Sequence, residues 1–187
     1  MHSFICRFPT LYCTIFSIDI SSFPPLYFNQ HLNYSTFYQK GTEIIKKSFR
    51  STLIDTIMEN AEIYPNMVVL NADSARALKL TDFQAAYPDR MFGVGISEAD
   101  LIGTAAGMAT TGLIPVVVGF SMFVSEKPFE QIRQAVAYPN LNVKIIATHS
   151  GLCVGQDGAT HQALEDMAVI RTLPNFKVFA AADVTET

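Results

Sequence analysis

Residues 98–120 read EADLIGTAAGMATTGLIPVVVGF, a segment that begins with helical spacing and ends in an unbroken apolar run. Glu98 to Thr111 has the length and period of a helix, and Ile114 to Phe120 is short, β-branched and strand-like. A helix leading into a strand apolar on every position is the unit of a parallel sheet buried on both faces. Working outward, Met67 to Leu70, Phe92 to Ile96, Val143 to Thr148 and Phe176 to Ala181 are further strand-like runs. Glu126 to Tyr138 and Ala163 to Thr172 supply helical crossovers between them. Before the first strand, Ile45, Phe49, Leu53 and Ile57 recur every four positions from Glu43 to Tyr64, the pattern of a long amphipathic helix. The fold class that follows is α/β: an open, doubly wound, mainly parallel sheet with helices on both faces.

The chain has 187 residues, 49% of them apolar, enough for one domain with a substantial core. Its net charge of −4, with no cluster of Lys and Arg, argues against nucleic acid as a partner and leaves small anionic substrates open. Three cysteines, Cys6, Cys13 and Cys153, are an odd number with only Cys153 in the well-patterned part of the chain, which favours a reducing, cytoplasmic setting over a disulfide framework. Residues 1–40 differ from the rest: their only charges are Arg7, Asp19 and Lys40, and they hold ten of the 21 aromatic residues. Pro9, Asp19 and Pro24-Pro25 interrupt them, so they suit neither a signal peptide nor a membrane span. They read as an atypical leader or as sequence outside the domain, which is expected to occupy residues 41–187.

In doubly wound sheets ligands gather beyond the carboxyl ends of the strands, here around Asp73, Ser97-Glu98, Phe120 and His149 onward. Gly93-Val94-Gly95-Ile96-Ser97-Glu98 begins like a dinucleotide fingerprint but puts an acid where the third glycine belongs, and a carboxylate there repels a diphosphate. Glu98 is then either a first-turn carboxylate suited to the helix dipole or a buried acid aimed at a ligand. Phe120 and Phe123, at the end of a strand, are either core residues or a clamp for a flat heterocycle. In the stretch from Thr148 to Gln162, His149, Cys153, Asp157 and His161 fall every four residues. On a helix they would form one row of metal ligands, but Gly151, Gly155 and Gly158 argue against a helix, so no metal site is expected. A polar, glycine-rich substrate loop is the functional reading and a surface turn the bland one. No phosphate loop, Cys-x-x-Cys pair or Gly-x-Ser-x-Gly elbow is present.

These three features stand in an order found in one family. Ala147-Thr148-His149-Ser150, then Gly155-Gln156-Asp157-Gly158-Ala159-Thr160-His161-Gln162, then Arg171-Thr172-Leu173-Pro174-Asn175 resemble the pyrimidine-binding domain of transketolases, above all versions whose catalytic halves lie on separate chains. The resemblance runs from about Gly41 to Thr187. The related 1-deoxyxylulose-5-phosphate synthases share much of it, and a non-catalytic interaction remnant of the same fold is the other alternative. The resemblance implies thiamine diphosphate and magnesium as cofactors, and two-carbon ketol transfer between sugar phosphates in the pentose phosphate pathway. It makes Glu98 the acid that hydrogen-bonds the aminopyrimidine ring, with Phe120 and Phe123 packed around that ring. It gives His149, Asp157 and His161 the sugar, with His161 also catalytic. Two positions depart from the family pattern: Ala99-Asp100 after the acid, and Gln156 where an acid is common. The family's diphosphate-binding domain is not in this sequence, and the resemblance implies a pyrimidine-binding domain clipped at Asp183–Thr187. The resemblance therefore implies a diphosphate-binding partner subunit, in a homo- or hetero-oligomer.

Overall fold

The computed structural model describes residues 48–152, 154–182 and 187, together with the backbone of the strand at residues 12–18. Among the described residues six strands form one sheet in the order β3-β2-β4-β5-β1-β6, with β1 at Tyr12–Ile18, β2 at Met67–Asn71, β3 at Met91–Gly93, β4 at Ile114–Phe120, β5 at Lys144–Ser150 and β6 at Phe176–Ala181. The pairs β2–β3, β2–β4 and β4–β5 are parallel. Strand β1 is antiparallel to both β5 and β6, so β5 and β6 share a direction and β1 alone runs against the sheet. Four of the five expected runs appear with bounds within two residues of the reading. The fifth, expected from Phe92 to Ile96, pairs only over Met91–Gly93, because Gly95 turns with φ +73° toward the next helix.

Among the described residues five α-helices accompany the sheet: α1 Phe49–Ile63, α2 Thr81–Ala86, α3 Glu98–Thr110, α4 Phe129–Gln131 and α5 Asp166–Arg171. Helix α1 starts where Ser48, extended at ψ 145°, accepts the Ser51 backbone N–H with its side chain. Adjacent strand residues feed opposite layers. Val68, Leu70, Val117 and Ile145 pack with Leu101, Ile102 and Ala105 of α3 and Ile170 of α5. Met67, Val69, Val116, Val118 and Ile146 pack with Leu53, Ile54 and Ile57 of α1 and Phe83 of α2. Burial on both faces is the physical reason these strands are apolar throughout rather than alternating. Among the described residues no helix is long and apolar enough to cross a membrane.

Two features differ from expectation. Residues 1–40 were expected to lie outside the domain, yet Tyr12–Ile18 stand in the sheet between β5 and β6. The β-branched and aromatic composition of that segment suits a strand, and two open strand edges supply backbone partners. The helix expected from Glu126 to Tyr138 is instead two π-helical stretches, Met122–Glu126 and Ile132–Ala137, around α4. Wide turns of this kind recur near functional sites.

Candidate functional site

The strand order reverses between β2 and β4, since β3 lies on one side of β2 and all later strands on the other. Chains leaving β2 and β4 at their carboxyl ends diverge there, which opens a crevice. Phe120 is the last residue of β4, and His149 is the penultimate residue of β5, one strand over. Gly119 lets the π-helical stretch fold back tightly on β4: a Cβ at that position would lie 2.2 Å from Cγ1 of Val124, itself buried. Ser121 Oγ donates a buried 2.5 Å hydrogen bond to Asp166 Oδ2, and Ser125 Oγ donates to the Ser121 carbonyl at 2.6 Å. These contacts anchor the segment that carries Phe120 and Phe123 to α5.

Four rings then converge. Phe120 lies 4.2 Å from His149, 6.4 Å from Phe123 and 6.2 Å from His161, and Phe123 meets His161 edge-on at 5.0 Å between centroids. Phe120 and Phe123 are inclined by only 23°. A third ring between them needs two stacking gaps of about 3.5 Å, roughly 7 Å in all, and their 6.4 Å separation is less. The pair therefore forms a wall on which a heterocycle can lie, in place of the two-sided clamp considered from sequence.

The glycine-rich loop is not a helix. It divides into 3-10 turns at Gly155–Asp157 and Ala159–His161, separated by Gly158 at φ +73°, and its base is closed by the backbone pair Gly151–Ala163 with N···O distances of 2.7 and 3.3 Å. The four-residue row seen in sequence is therefore not realised as one helix face; Cys153 lies outside the described residues. Among the described residues, no three His, Cys, Asp or Glu side chains gather to hold a metal ion. Asp157 is exposed, and its charge acts on His149.

His149 is 9% exposed and holds a left-handed backbone at φ +57°, an unfavourable state for a non-glycine residue that tertiary packing must maintain. Burial lowers its pKa below 6.5, the positive charge of Arg50 lowers it further, and Asp157 partly opposes both. Burial, followed by the charges of Glu165 and Asp166, raises the pKa of Glu126 on the neighbouring segment.

Glu98 stands at one remove from the rings. It opens α3, it is 5% exposed, and it forms an ion pair with Lys127, four residues beyond Phe123. The Lys127 side chain is half exposed, so the pair has one wet and one dry partner. Sequence reasoning passed over Lys127, Arg50 and Asp166, and named Thr148 only as part of a motif, with no role of its own. Lys127 was findable as the one cation between Gly119 and Phe129.

The fold and site define an α/β class: a doubly wound domain with a buried acid opening one helix and an aromatic, histidine-lined wall beyond its strands. Within that class the comparison with known proteins is specific. The family model of the transketolase pyrimidine-binding domain matches residues 46–187, and the chain belongs to that family. It is 46% identical over 143 residues to a transketolase C-terminal section of Methanocaldococcus jannaschii, covering 76% of this chain and 45% of that protein. It is 36% identical over 154 residues to a 1-deoxy-D-xylulose-5-phosphate synthase of Desulfotalea psychrophila, covering 80% of this chain and 24% of that protein. Among solved structures, a split-gene transketolase described as an inactive beta4 tetramer matches with a TM-score of 0.53 at 44% identity, over 67% of this chain and 39% of that one. A Pichia stipitis transketolase at 22% identity, with a TM-score of 0.59 over 67% of this chain and 20% of that one, shares the fold. The chain thus spans less than half the length of these relatives.

Proposed function

We propose that this chain contributes the aminopyrimidine- and sugar-facing half of a thiamine diphosphate site for two-carbon ketol transfer between sugar phosphates. The observation that carries the reading is the joint placement of a buried Glu98 and the Phe120, Phe123, His149 and His161 rings at the carboxyl edge of the sheet. Transketolase-family proteins use thiamine diphosphate, which when bound supplies the carbanion chemistry. The residues present fit its flat ring in two respects: an apolar wall of near-parallel phenylalanines, and a carboxyl group largely withdrawn from water.

In this reading Glu98 gives up Lys127 for the ligand, and its carboxyl O–H donates to the pyrimidine ring nitrogen. Phe120 and Phe123 support one face of the ring. His149 and His161 hold substrate hydroxyls and move protons at them, with Asp157 beside His149. Arg50, close enough to affect the titration of His149, supplies a positive field for an anionic sugar phosphate. Magnesium and the diphosphate fall to a partner chain. Exposed Ile96, Leu152 and Leu164, which border the site loops, support a covering partner, as does the split-gene relative. A cytoplasmic setting belongs to the same proposal. The higher identity to the transketolase section favours ketol transfer over the synthase reaction.

The test is calorimetric titration of thiamine diphosphate with magnesium into this chain, alone and mixed with a diphosphate-binding partner, followed by a ketol-transfer assay. Binding and turnover in the mixture alone are expected. A folded chain with a proven partner that shows neither overturns the reading in favour of a non-catalytic member of the fold.

A further inference from the structure

The site contains two Thr-His dipeptides that make the same hydroxyl–imidazole contact. Thr148 Oγ1 lies 2.8 Å from His149 Nδ1, and Thr160 Oγ1 lies 2.9 Å from His161 Nδ1. A hydroxyl has one proton to give, and a neutral imidazole carries one N–H. The two pairs differ in where the hydroxyl proton goes. Thr148 Oγ1 also lies 3.1 Å from the Gly119 carbonyl, which can only accept, so the threonine donates there. Its oxygen is then left to accept from the imidazole, and the proton of neutral His149 must sit on Nδ1. Nε2 is a bare lone pair. Thr160 is exposed and meets only His161 among the described residues, so its hydroxyl can rotate to serve either tautomer.

We infer that Thr148 is a positioning residue that fixes His149 as the Nδ1–H tautomer and so presents Nε2 as a standing acceptor to a substrate hydroxyl, while His161 stays free to exchange tautomers and relay a proton. Three further observations agree. Thr148 is 3% exposed, so water does not compete for its hydroxyl. The Phe120 ring, 4.2 Å from His149, limits rotation of the imidazole. Burial and Arg50 hold His149 in the neutral form in which tautomer identity matters. The Gly119 carbonyl that sets this arrangement belongs to the strand that delivers Phe120, so the aromatic wall and the acceptor histidine share one backbone support. That the hydroxyl belongs to a sugar rests on the function proposed above; the tautomer assignment does not.

The experiment is long-range proton–nitrogen correlation on the full chain labelled with 15N-histidine, above the ordinary histidine pKa, with signals assigned by their loss in His149→Gln and His161→Gln. His149 should show a protonated Nδ1 and an unprotonated Nε2, and His161 should show averaged nitrogens. Thr148→Val should abolish the Nδ1–H preference of His149, and Thr148→Ser should retain it. In the reconstituted complex Thr148→Val should raise KM roughly tenfold, the worth of one hydrogen bond, with Thr148→Ser near the parent value. A protonated Nε2 on His149 in the unsubstituted chain overturns the inference without any variant, as does a Thr148→Val spectrum identical to the parent's. Absent ketol transfer with the tautomer pattern intact overturns the proposed reaction and leaves the role of Thr148 standing.

Discussion

The acid corner and the ring corner of this site are held by different forces. Glu98 is positioned by charge, through a lysine whose side chain is half in water. The four rings are positioned by packing and by buried hydrogen bonds, from Ser121 to Asp166 and from Thr148 to Gly119. A wet ion pair is soft and responds to salt, whereas close packing is rigid and responds to volume. The contrast suits a site in which the acid must exchange one partner for a ligand while the wall stays in place.

Substitutions can separate the corners. The largest effect is expected from Glu98→Gln, which keeps the shape of the side chain and replaces its ionisable carboxyl with an amide. Ketol transfer in a reconstituted complex should fall by about 100-fold or more, with an unchanged circular dichroism spectrum. Activity within twofold of the parent would remove Glu98 from its role.

Gly119→Ala attacks the ring corner. The new methyl meets Val124, buried among its neighbours, and the clash should destabilise the chain by about 1–3 kcal/mol in urea unfolding. It should also disturb the ring contacts of Phe123 and His161. A neutral outcome would mean that the turn after β4 shifts freely and the wall is not rigid.

Lys127→Met tests the softer corner. It leaves a carboxylate that is 5% exposed without its cation, and stability should fall by roughly 1–2 kcal/mol, less than for Gly119→Ala. Raising ionic strength should shrink the difference between Lys127→Met and the parent, and should leave the Gly119→Ala deficit unchanged. Equal salt responses would erase the distinction between the corners.

The smallest effect is a pH slope. The folded pKa of His149 lies below 6.5, so as pH falls the unfolded chain takes up the proton first. The stability associated with neutral His149 is complete above 6.5, declines as pH drops from there toward the folded pKa, and levels off below it. Urea midpoints from about pH 8 to about pH 5 should therefore fall more steeply for the parent than for His149→Gln. Parallel curves would place the titration elsewhere.

Much of this was legible in the amino-acid order. The strands at Met67–Asn71 and Ile114–Phe120 appear as short apolar runs because both of their faces are buried, and Lys144–Ser150 and the partly exposed Phe176–Ala181 are legible from their β-branched and aromatic residues. Helix α3 was legible from its length and period and Glu98 from its place at that helix's start. The histidine loop was legible from its glycines, which forbid a helix by local backbone preference alone. Such features depend on neighbours within a few residues, and linear sequence records those directly. The antiparallel entry of Tyr12–Ile18 depends instead on which strand edges the finished sheet leaves open. The Lys127–Glu98 pair and the Thr148–Gly119 bond each join residues 29 positions apart. No local period encodes such a meeting; it exists only once the crossovers have brought β4, β5 and α3 to one edge, and there the lysine gains its acid and the threonine its carbonyl.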